Sequence, residues 1–265
     1  MLHNSKQQNN GRAPQRVRNE LRFRQVEVIA KQQIAGCFYR IEFGGAALAG
    51  FSSQGFDDHI KVFFPDPAGG ELHLPEITEQ GIVWPEGVRP AGRDYTPLAF
   101  DAQQNRLTID FYIHPGGIAS DWAARAVPGD TLLFGGPRGS LIVPADYAFQ
   151  LYVCDETGLP AVKRRLQNMQ ASTAKLFAFT DEAVGRAYLG ELDGVQACWL
   201  GSGNMQAANL AGLMAELNQL DVPADDYFIW LTGEGAAVKT LSDYFIEQRK
   251  RDAAFVRAVA YWHQK

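Results

Sequence analysis

The stretch RLTIDFYI, residues 106–113, carries the pattern that decides the fold of the first half of the chain. Leu107, Ile109 and Phe111 would face one side of a strand, and the polar residues between them would face the other. The same alternation recurs in the runs FRQVEVIA, CFYRIEF and HIKVFF, which turns rich in Gly, Pro and Asp separate. Six or seven short strands of this kind predict a closed antiparallel β-barrel of the Greek-key type.

From residue 147 onward, short apolar runs alternate with helical segments. The strand candidates are residues 149–154, 175–180, 195–200, 227–232 and 256–261. Between the third and the fourth, Leu210, Leu213 and Leu217 recur at helical spacing. Strands separated by helices predict βαβ units and a parallel, Rossmann-like α/β sheet. We therefore divide the chain into a disordered head (1–20), a β-barrel domain (21–146) and an α/β domain (147–265).

Two segments of the barrel half indicate a site for FAD. RDYTP, residues 93–97, places a cation, an aromatic ring and a hydroxyl on one predicted strand. HPGGIAS, residues 114–120, is a glycine turn that leads into a predicted helix over 121–126, and backbone N–H groups at such a place can hold a diphosphate. The alternative for both segments is structural: an exposed arginine with a packing tyrosine, a solvated histidine, and a serine that only caps the helix.

Small glycine-containing turns follow three of the predicted α/β strands, at 155–158, 201–203 and 233–235. Ligands of open parallel sheets bind outside the carboxyl ends of the strands. None of these turns is a GxGxxG or a Walker A loop, and a βα junction favours glycine in any case. Three such turns along one sheet edge nevertheless predict a nucleotide site. Its candidate residues are Thr157, Gly158, Gly201, Ser202, Gly233 and Glu234.

Composition narrows the range of partners. The formal charge of −5, from 25 basic and 30 acidic residues, disfavours binding to nucleic acid or to an anionic membrane. The three cysteines form no CxxC pair, and no His/Cys cluster has the spacing of a metal centre. A polar N-terminus and the lack of a long apolar run indicate neither a signal peptide nor a membrane span. We therefore expect a cytoplasmic monomer without a protein-bound metal.

The chain resembles the siderophore-interacting protein family over about residues 16–265. The segments that carry the resemblance are RVRNELRFR, GFDDHIKVFFP, GIVWPEG, RDYTPL, DFYIHPGGIASDWA, GPRGSL, LYVCDETGLPAV, WLTGEGAAVKTL and AVAYWHQK. They are most similar to the enterobacterial ferric-chelate reductase branch. The resemblance implies a flavin-dependent ferric-siderophore reductase, in which FAD lies on a ferredoxin-reductase-like barrel and NAD(P)H lies on the sheet. Hydride would pass to FAD, and single electrons would then reach Fe(III) in an anionic, catecholate-type chelate and release Fe(II).

The resemblance also gives roles to single residues of the barrel half. Arg93 would pair with the FAD diphosphate, because a guanidinium offers a rigid fork of donors. Tyr95 would lie against the isoalloxazine, Thr96 would bond near the ring edge that accepts hydride, and His114 would contact the diphosphate or stack on the cofactor. The backbone would approach the diphosphate at Gly117, Ala119 and Ser120. No side chain would be catalytic, because the resemblance assigns the chemistry to the cofactor.

A trianionic chelate needs a local positive pocket in a protein of negative charge. By resemblance, Lys61, Arg138 and Arg257 would supply it, whereas each could also be an ordinary solvated cation. The choice of nucleotide is open, because Arg164 and Arg165 favour NADPH and the acidic pair 181–182 favours NADH. The alternative for the two arginines is the solvated face of a helix. The habit of the branch favours NADPH.

Other functions remain compatible with the sequence. The same scaffold could serve a flavin, flavodoxin or quinone reductase, which would not need the three cations. A non-catalytic, flavin-bearing carrier of ferric chelates is a further alternative. The aromatic residues near the C-terminus, Tyr261 and Trp262, would either shield the flavin or pack under the sheet.

Overall fold

The computed structural model describes residues 12–66, 72–85, 89–203 and 205–264. They divide into two compact units. The barrel unit is Arg16–Leu141, and the α/β unit is Ile142–Lys265 together with the described residues before Arg16. This division falls a few residues before the predicted border between 146 and 147. None of the helices in the described ranges is long and apolar enough to cross a membrane.

The barrel unit is built around one antiparallel sheet of seven strands. In chain order the strands of this unit are β1 (Gln15–Arg18), β2 (Phe23–Ile34), β3 (Phe38–Gly44), β4 (Ile60–Phe64), β5 (Glu76–Thr78), β6 (Gly81–Val83), β7 (Ala91–Tyr95), β8 (Pro97–Asp101), β9 (Arg106–Tyr112), β10 (Thr131–Gly135) and β11 (Gly139–Ile142). The order within the large sheet is β7-β4-β10-β2-β3-β9-β8. Strands β1 and β11 form one small ladder, and β5 and β6 form another.

Thr96 lies at the seam of this sheet, the place where the two edge strands follow each other in the chain. It is the single residue between β7 and β8, yet these strands occupy opposite edges of the sheet. One residue cannot reverse the chain as a hairpin turn would, and Pro97 keeps the preceding residue extended. The chain therefore runs on across the seam, and the curl of the sheet brings its two edges together. The antiparallel barrel predicted from the sequence is confirmed, although among the described residues no hydrogen-bonded ladder joins β7 to β8.

Helix α1 (Ile118–Arg125) covers the core of the barrel unit. Its Trp122 packs against the rings of Phe43 and Phe111, with centroids 6.3 and 5.9 Å away. The helix begins three residues earlier than predicted, with Gly117 as its N-cap. Ser120 does not cap it; its Oγ accepts a bond from the His114 N–H at 3.1 Å inside the first turn. Serine has a high propensity for the N-cap position, but here its hydroxyl is used by the N–H of the preceding turn, and Gly117 is the N-cap.

The α/β unit confirms the predicted parallel sheet. Its strands are β12 (Phe149–Asp155), β13 (Thr173–Phe179), β14 (Val195–Trp199), β15 (Tyr227–Glu234) and β16 (Val256–Trp262), in the order β14-β13-β12-β15-β16. The helices are α2 (Leu159–Leu166), α3 (Glu182–Leu189), α4 (Ala211–Gln219) and α5 (Gly235–Asp243). All four strand pairs are parallel. The direction of the strand order reverses between β12 and β15, which makes the crevice between their carboxyl ends the expected ligand position.

Part of the predicted disordered head is ordered. Residues 1–11 lie outside the described residues, but Gln15–Arg18 form β1 against β11. Arg12 forms an ion pair with Asp146 at 3.0 Å. Polar composition predicted disorder here because the segment has little to bury, whereas backbone pairing and an ion pair need no apolar side chains.

Candidate functional site

Strand β7 and Thr96, which we call the seam strand, carry the predicted flavin residues at one edge of the barrel sheet. Thr96 is buried, and Tyr95 is half-buried with its ring centroid 4.5 Å from that of Phe111. Burial raises the pKa of Tyr95 well above its ordinary value, so the phenol stays neutral at every physiological pH. Arg93 is exposed and donates to the Gly92 carbonyl at 2.8 Å. Within the described ranges no carboxylate lies within 4.0 Å of its guanidinium.

The start of α1 is a second group of donors. The first intrahelical bond runs from the Asp121 N–H to the Gly117 carbonyl, so the N–H groups of residues 117–120 precede the helical ladder. The N-cap supplies no side-chain acceptor. The His114 ring lies directly over Gly117, where a Cβ would stand 2.3 Å from Cε1 of that ring. An open groove of about 600 Å³ runs beside the helix, lined by Gly116, Ile118, Asp121, Ala124 and Arg125.

This donor set fits FAD. A guanidinium without a carboxylate partner and a helix N-terminus both favour an anion such as a diphosphate. Tyr95 adds a flat, neutral ring. Tyr95 also joins the two motifs, because it packs on Phe111 of β9, the strand that leads to His114 and α1. The structure thus brings the predicted flavin residues into one part of the barrel unit.

Two of the three predicted substrate cations lie at one end of the same unit. Lys61 is paired with Asp94, with Nζ 2.8 Å from a carboxylate oxygen. Arg138 is exposed and follows the cis peptide Gly136–Pro137. A Cβ on Gly136 would lie 3.9 Å from the Cα of Ile60, the neighbour of Lys61. The third cation, Arg257, is half-buried on β16 of the α/β unit, so the trio stays a prediction.

Asp155 organises the carboxyl end of β12. Its carboxylate accepts bonds from the N–H and the Oγ1 of Thr157, at 2.9 and 2.5 Å, and from the indole Nε1 of Trp262 at 2.5 Å. Burial raises the pKa of Asp155, while these hydrogen bonds act in the opposite direction. Gly158 is packed against the end of β12, because a Cβ at this position would lie 2.6 Å from Cβ of Cys154. Both predicted residues of this turn therefore shape it.

The second turn follows β14 and is hydrogen-bonded to the residues that follow β13. Ser202 exchanges two bonds of 3.1 Å with Asp181, and the Gly201 N–H donates to the Thr180 carbonyl. Glu156 is buried, and burial raises the pKa of its carboxyl although a hydrogen bond from Ser202 opposes this. One oxygen of Glu156 has no partner among the described residues. Gly201 has a φ of 82°, a left-handed conformation that glycine adopts without strain.

The third turn begins α5. Glu234 is its N-cap and accepts the Ala237 N–H at 2.9 Å. Burial alone would raise the pKa of Glu234, but the backbone donors of residues 236 and 237 hold it below its ordinary value. Gly233 has a φ of 134°, and a Cβ there would stand 2.3 Å from Sδ of Met205. The structure thus gathers Glu234 and Gly233 with the Asp155 turn at the crevice between β12 and β15.

Arg165 does not fit the predicted contact with a 2′-phosphate. It is buried, and its guanidinium donates to the Gln150 side chain, the Tyr152 hydroxyl and the carbonyls of Val143 and Pro144, at 2.6 to 3.1 Å. It faces inward because helix α2 turns that side towards β12. Its neighbour Arg164 is half-buried, which leaves it as the candidate of the two.

Sequence reasoning missed Asp155, Trp262 as its partner, and Asp94. An acid directly after a buried apolar strand was the available signal for Asp155. The partners of Trp262 and Asp94 depend on which strands neighbour each other, and no local pattern gives that order. Among the described residues, no group of three or more His, Cys, Asp or Glu side chains could hold a metal ion.

Comparison with known proteins gives a consistent result. The model of the siderophore-interacting FAD-binding domain matches residues 27–141, and that of the siderophore-interacting protein matches residues 147–265. A relative from Escherichia coli strain K12, named NADPH-dependent ferric-chelate reductase, is 52% identical over 97% of this chain and 99% of its own. A Vibrio cholerae protein named ferric vibriobactin reductase is 30% identical over 90% of this chain and 89% of its own.

A solved structure has the same fold over most of the chain. The siderophore utilization protein of T. fusca superposes with a TM-score of 0.80 at 30% identity, covering 95% of this chain and 96% of its own. One family model matches the barrel unit and the other matches the α/β unit. The chain therefore belongs to the siderophore-interacting protein family.

Proposed function

We propose that this protein is an FAD-dependent oxidoreductase that uses NADPH to reduce Fe(III) in a siderophore. The observation that carries the proposal is the seam strand with Arg93, Tyr95 and Thr96, which lies in the same unit as the N-terminus of α1 and fits a flavin diphosphate. The ferric-chelate reductase name of a relative with 52% identity supports the same activity here.

The residues of the barrel unit would hold FAD by charge and by shape. Arg93 and the N–H groups of residues 117–120 would hold the diphosphate, and Tyr95 would support the ring system. Thr96 would donate a hydrogen bond at the edge of the ring. Bound FAD would supply chemistry that no side chain offers, because it accepts two electrons at once and can release them singly.

The substrate would be an anionic ferric chelate of the catecholate type. Lys61 and Arg138 lie at one end of the barrel unit and would raise the local concentration of an anion there. Arg257 is proposed as a third contact. The chelate brings its own oxygen ligands for iron. The protein would therefore need to provide only a positively charged binding site and to exclude water from it. Fe(II) binds hard catecholate oxygens less well than Fe(III), and release would follow reduction.

NADPH would bind along the carboxyl edge of the parallel sheet, at the turns that contain Thr157, Gly158, Gly201, Ser202, Gly233 and Glu234. These residues hold the turns in shape, largely through bonds to one another, so backbone groups and the exposed faces of the turns would meet the nucleotide. We propose a cytoplasmic location, since the three cysteines, all within the described ranges, form no disulfide. The expectation of a monomer stays a prediction that light scattering would check.

An anaerobic experiment tests the proposal. The purified protein should be yellow, NADPH should bleach it, and a ferric tris-catecholate should restore the colour while a ferrous-specific chromophore registers Fe(II). Faster reoxidation by free flavin, flavodoxin or a quinone than by the chelate would favour the reductases that share this scaffold. If neither NADPH nor NADH bleached the flavin, the protein would be a carrier of ferric chelates.

A further inference from the structure

Trp262 is an exposed indole at the end of the last strand. It is 37% exposed, and no other large apolar side chain in the described part of the α/β unit is exposed to this degree. Exposed large apolar side chains are common singly. The indole of Trp262 differs in that a hydrogen bond holds it, and the two residues that follow it also make contacts.

The first contact is with a buried acid. The indole Nε1 donates to Oδ2 of Asp155 at 2.5 Å, and Asp155 is only 3% exposed. The following residues are also fixed. The His263 ring lies over Gly235, where a Cβ would stand 2.2 Å from Nδ1, and the Gln264 N–H points at Glu234 Oε1 from 3.5 Å. The end of the chain is therefore fastened to two of the three glycine turns.

These contacts place the ring at the crevice between β12 and β15. Trp262 is the register partner of Glu234 at the end of β15, and Asp155 ends β12. The strand order reverses at this point, so it is where an open parallel sheet takes its ligand. A rigid aromatic face at such a position loses little conformational entropy when a planar ring stacks on it.

The charges at this crevice select the kind of ring. Glu234, the register partner of Trp262, is held in its ionised form by backbone donors, whereas burial raises the pKa of Asp155 and of Glu156 and favours their neutral forms. Phosphate groups would be repelled here, whereas a cation would be attracted. The nicotinamide ring of an oxidised nucleotide is the planar group of NADP⁺ that carries a positive charge, and a cation over an indole face is favourable.

We propose that Trp262 is the stacking platform for the nicotinamide ring and that Asp155 is the positioning residue that fixes this platform. The inference rests on the proposed function, because it assigns one end of the nucleotide to one residue of that site. The adenosine half and the phosphates of the nucleotide would bind elsewhere along the carboxyl edge of the sheet. The platform strengthens binding of the oxidised nucleotide by charge as well as by stacking.

Calorimetric titration of the FAD-loaded protein with NADP⁺ tests this without turnover. Trp262→Ala should weaken binding roughly threefold to tenfold, the range of a stacking contact. Binding of adenosine 2′,5′-bisphosphate, which lacks nicotinamide, should stay unchanged. Trp262→Phe keeps a ring but removes the indole N–H, so it should lose less than Trp262→Ala. Lys239→Ala, on the exposed face of α5, is the control and should bind like the wild type.

A double-mutant cycle separates positioning from a general structural role. Asp155→Ala and Trp262→Phe each break the same bond, so the double variant should bind no more weakly than the weaker single variant. Additive losses would overturn the role of Asp155. Thermal unfolding of each variant identifies misfolded protein, and if Asp155→Ala does not fold, Trp262→Phe still tests the platform.

The outcomes also separate the inference from the proposed function. If the wild type binds neither NADP⁺ nor NADPH, the nucleotide part of the proposed function fails. If the wild type binds NADP⁺ and Trp262→Ala binds it equally well, only the platform is wrong. Tighter binding by Trp262→Ala would mean that the indole blocks the crevice. An equal loss of affinity for adenosine 2′,5′-bisphosphate would place adenine on the indole and overturn the assignment to nicotinamide.

Discussion

Lys61 and Asp94 face each other across β4 and β7, and the Lys61 ammonium lies 2.8 Å from the Asp94 carboxylate. Asp94 precedes Tyr95 on the seam strand, so this ion pair links a proposed substrate cation to the strand that carries the proposed flavin residues. The positive charge offered to a ferric chelate is thereby reduced before the chelate arrives. Both side chains are more than a third exposed, which lets solvent and salt weaken the pair.

Opposite effects are expected from the two partners of this pair. Lys61→Ala should raise KM for a trianionic ferric catecholate, and Asp94→Asn should lower it, each by about twofold to fivefold in view of the exposure of the pair. FAD content should stay that of the wild type in both. Steady-state kinetics at low and high ionic strength would measure this, since salt should shrink both effects.

A neutral chelate provides the matched control for this pair. Ferric tris-hydroxamates carry no net charge, so neither substitution should change their KM. If Asp94→Asn raised KM for the anionic chelate, Asp94 would contact the substrate or its path directly, and the screening role would be wrong.

Gly117 should tolerate no side chain in the flavin-loaded protein. A Cβ there would collide with the His114 ring at 2.3 Å, so Gly117→Ala should push this ring away and disturb the start of α1. We expect a tenfold or greater loss of FAD affinity, of the order that the loss of one or two phosphate contacts produces. Flavin absorbance after dialysis measures it.

Gly212 supplies the control for this substitution. It lies in α4, and a Cβ at this position would meet no atom within 4 Å, so Gly212→Ala should retain FAD and gain about 0.5–1 kcal/mol of helix stability. Full flavin content in Gly117→Ala would show that the N-terminus of α1 does not bind the diphosphate.

The sequence predicted those features that depend on the order of apolar side chains. Strand β15 was expected at 227–232 and observed at Tyr227–Glu234, because burial on both sheet faces fixes which residues are apolar. The seam strand was found for a similar reason, since cation, ring and hydroxyl are adjacent in the chain. The start of α1 was misplaced because Ser120 is the better cap by propensity, while its Oγ is used by the His114 N–H.

Other features depend on contacts between distant residues. Asp155 and Trp262 are 107 positions apart, and Lys61 and Asp94 are 33 apart. Their pairing follows from strand order, which no single segment encodes. The burial of Arg165 is of the same kind, because only the docking of α2 on β12 decides which of two consecutive arginines faces inward.

Two buried glutamates should respond to pH with opposite signs. Burial raises the pKa of Glu156 in the folded protein, so above the ordinary glutamate pKa of about 4.3 the folded state holds a proton that the unfolded chain has lost. Stability therefore falls as pH rises through that window. Glu156→Gln should have a higher Tm than the wild type at pH 7, and the gain should shrink towards pH 4.

Glu234 is the matched case. Its pKa is lowered, so it contributes stability above about pH 4.3 that is lost as pH falls through its folded-state pKa. Glu234→Gln should lose roughly 0.5–1 kcal/mol at pH 7 as the helix cap weakens. Scanning calorimetry at pH 4 and pH 7 gives both signs, and equal pH dependence in the two variants would contradict the assignment.

Substitution of the two neighbouring arginines of α2 should have different effects: one should change the stability of the fold and the other the preference for NADPH over NADH. Arg165→Met removes a buried guanidinium that holds Gln150 and Tyr152, so it should lower the free energy of unfolding by about 3 kcal/mol. The ratio of KM for NADPH to KM for NADH should nevertheless match the wild type. Arg164→Ala should do the reverse, with little change in Tm and a weaker preference for NADPH.

Should Arg165→Met fail to fold, Arg165→Lys keeps a charge in the same place and still removes most of the network, so its KM ratio can be measured instead. A lost preference for NADPH in either Arg165 variant would mean that the guanidinium reaches the 2′-phosphate after all. The buried bonds to the Val143 and Pro144 carbonyls argue against that, because breaking them would cost more than one phosphate contact returns.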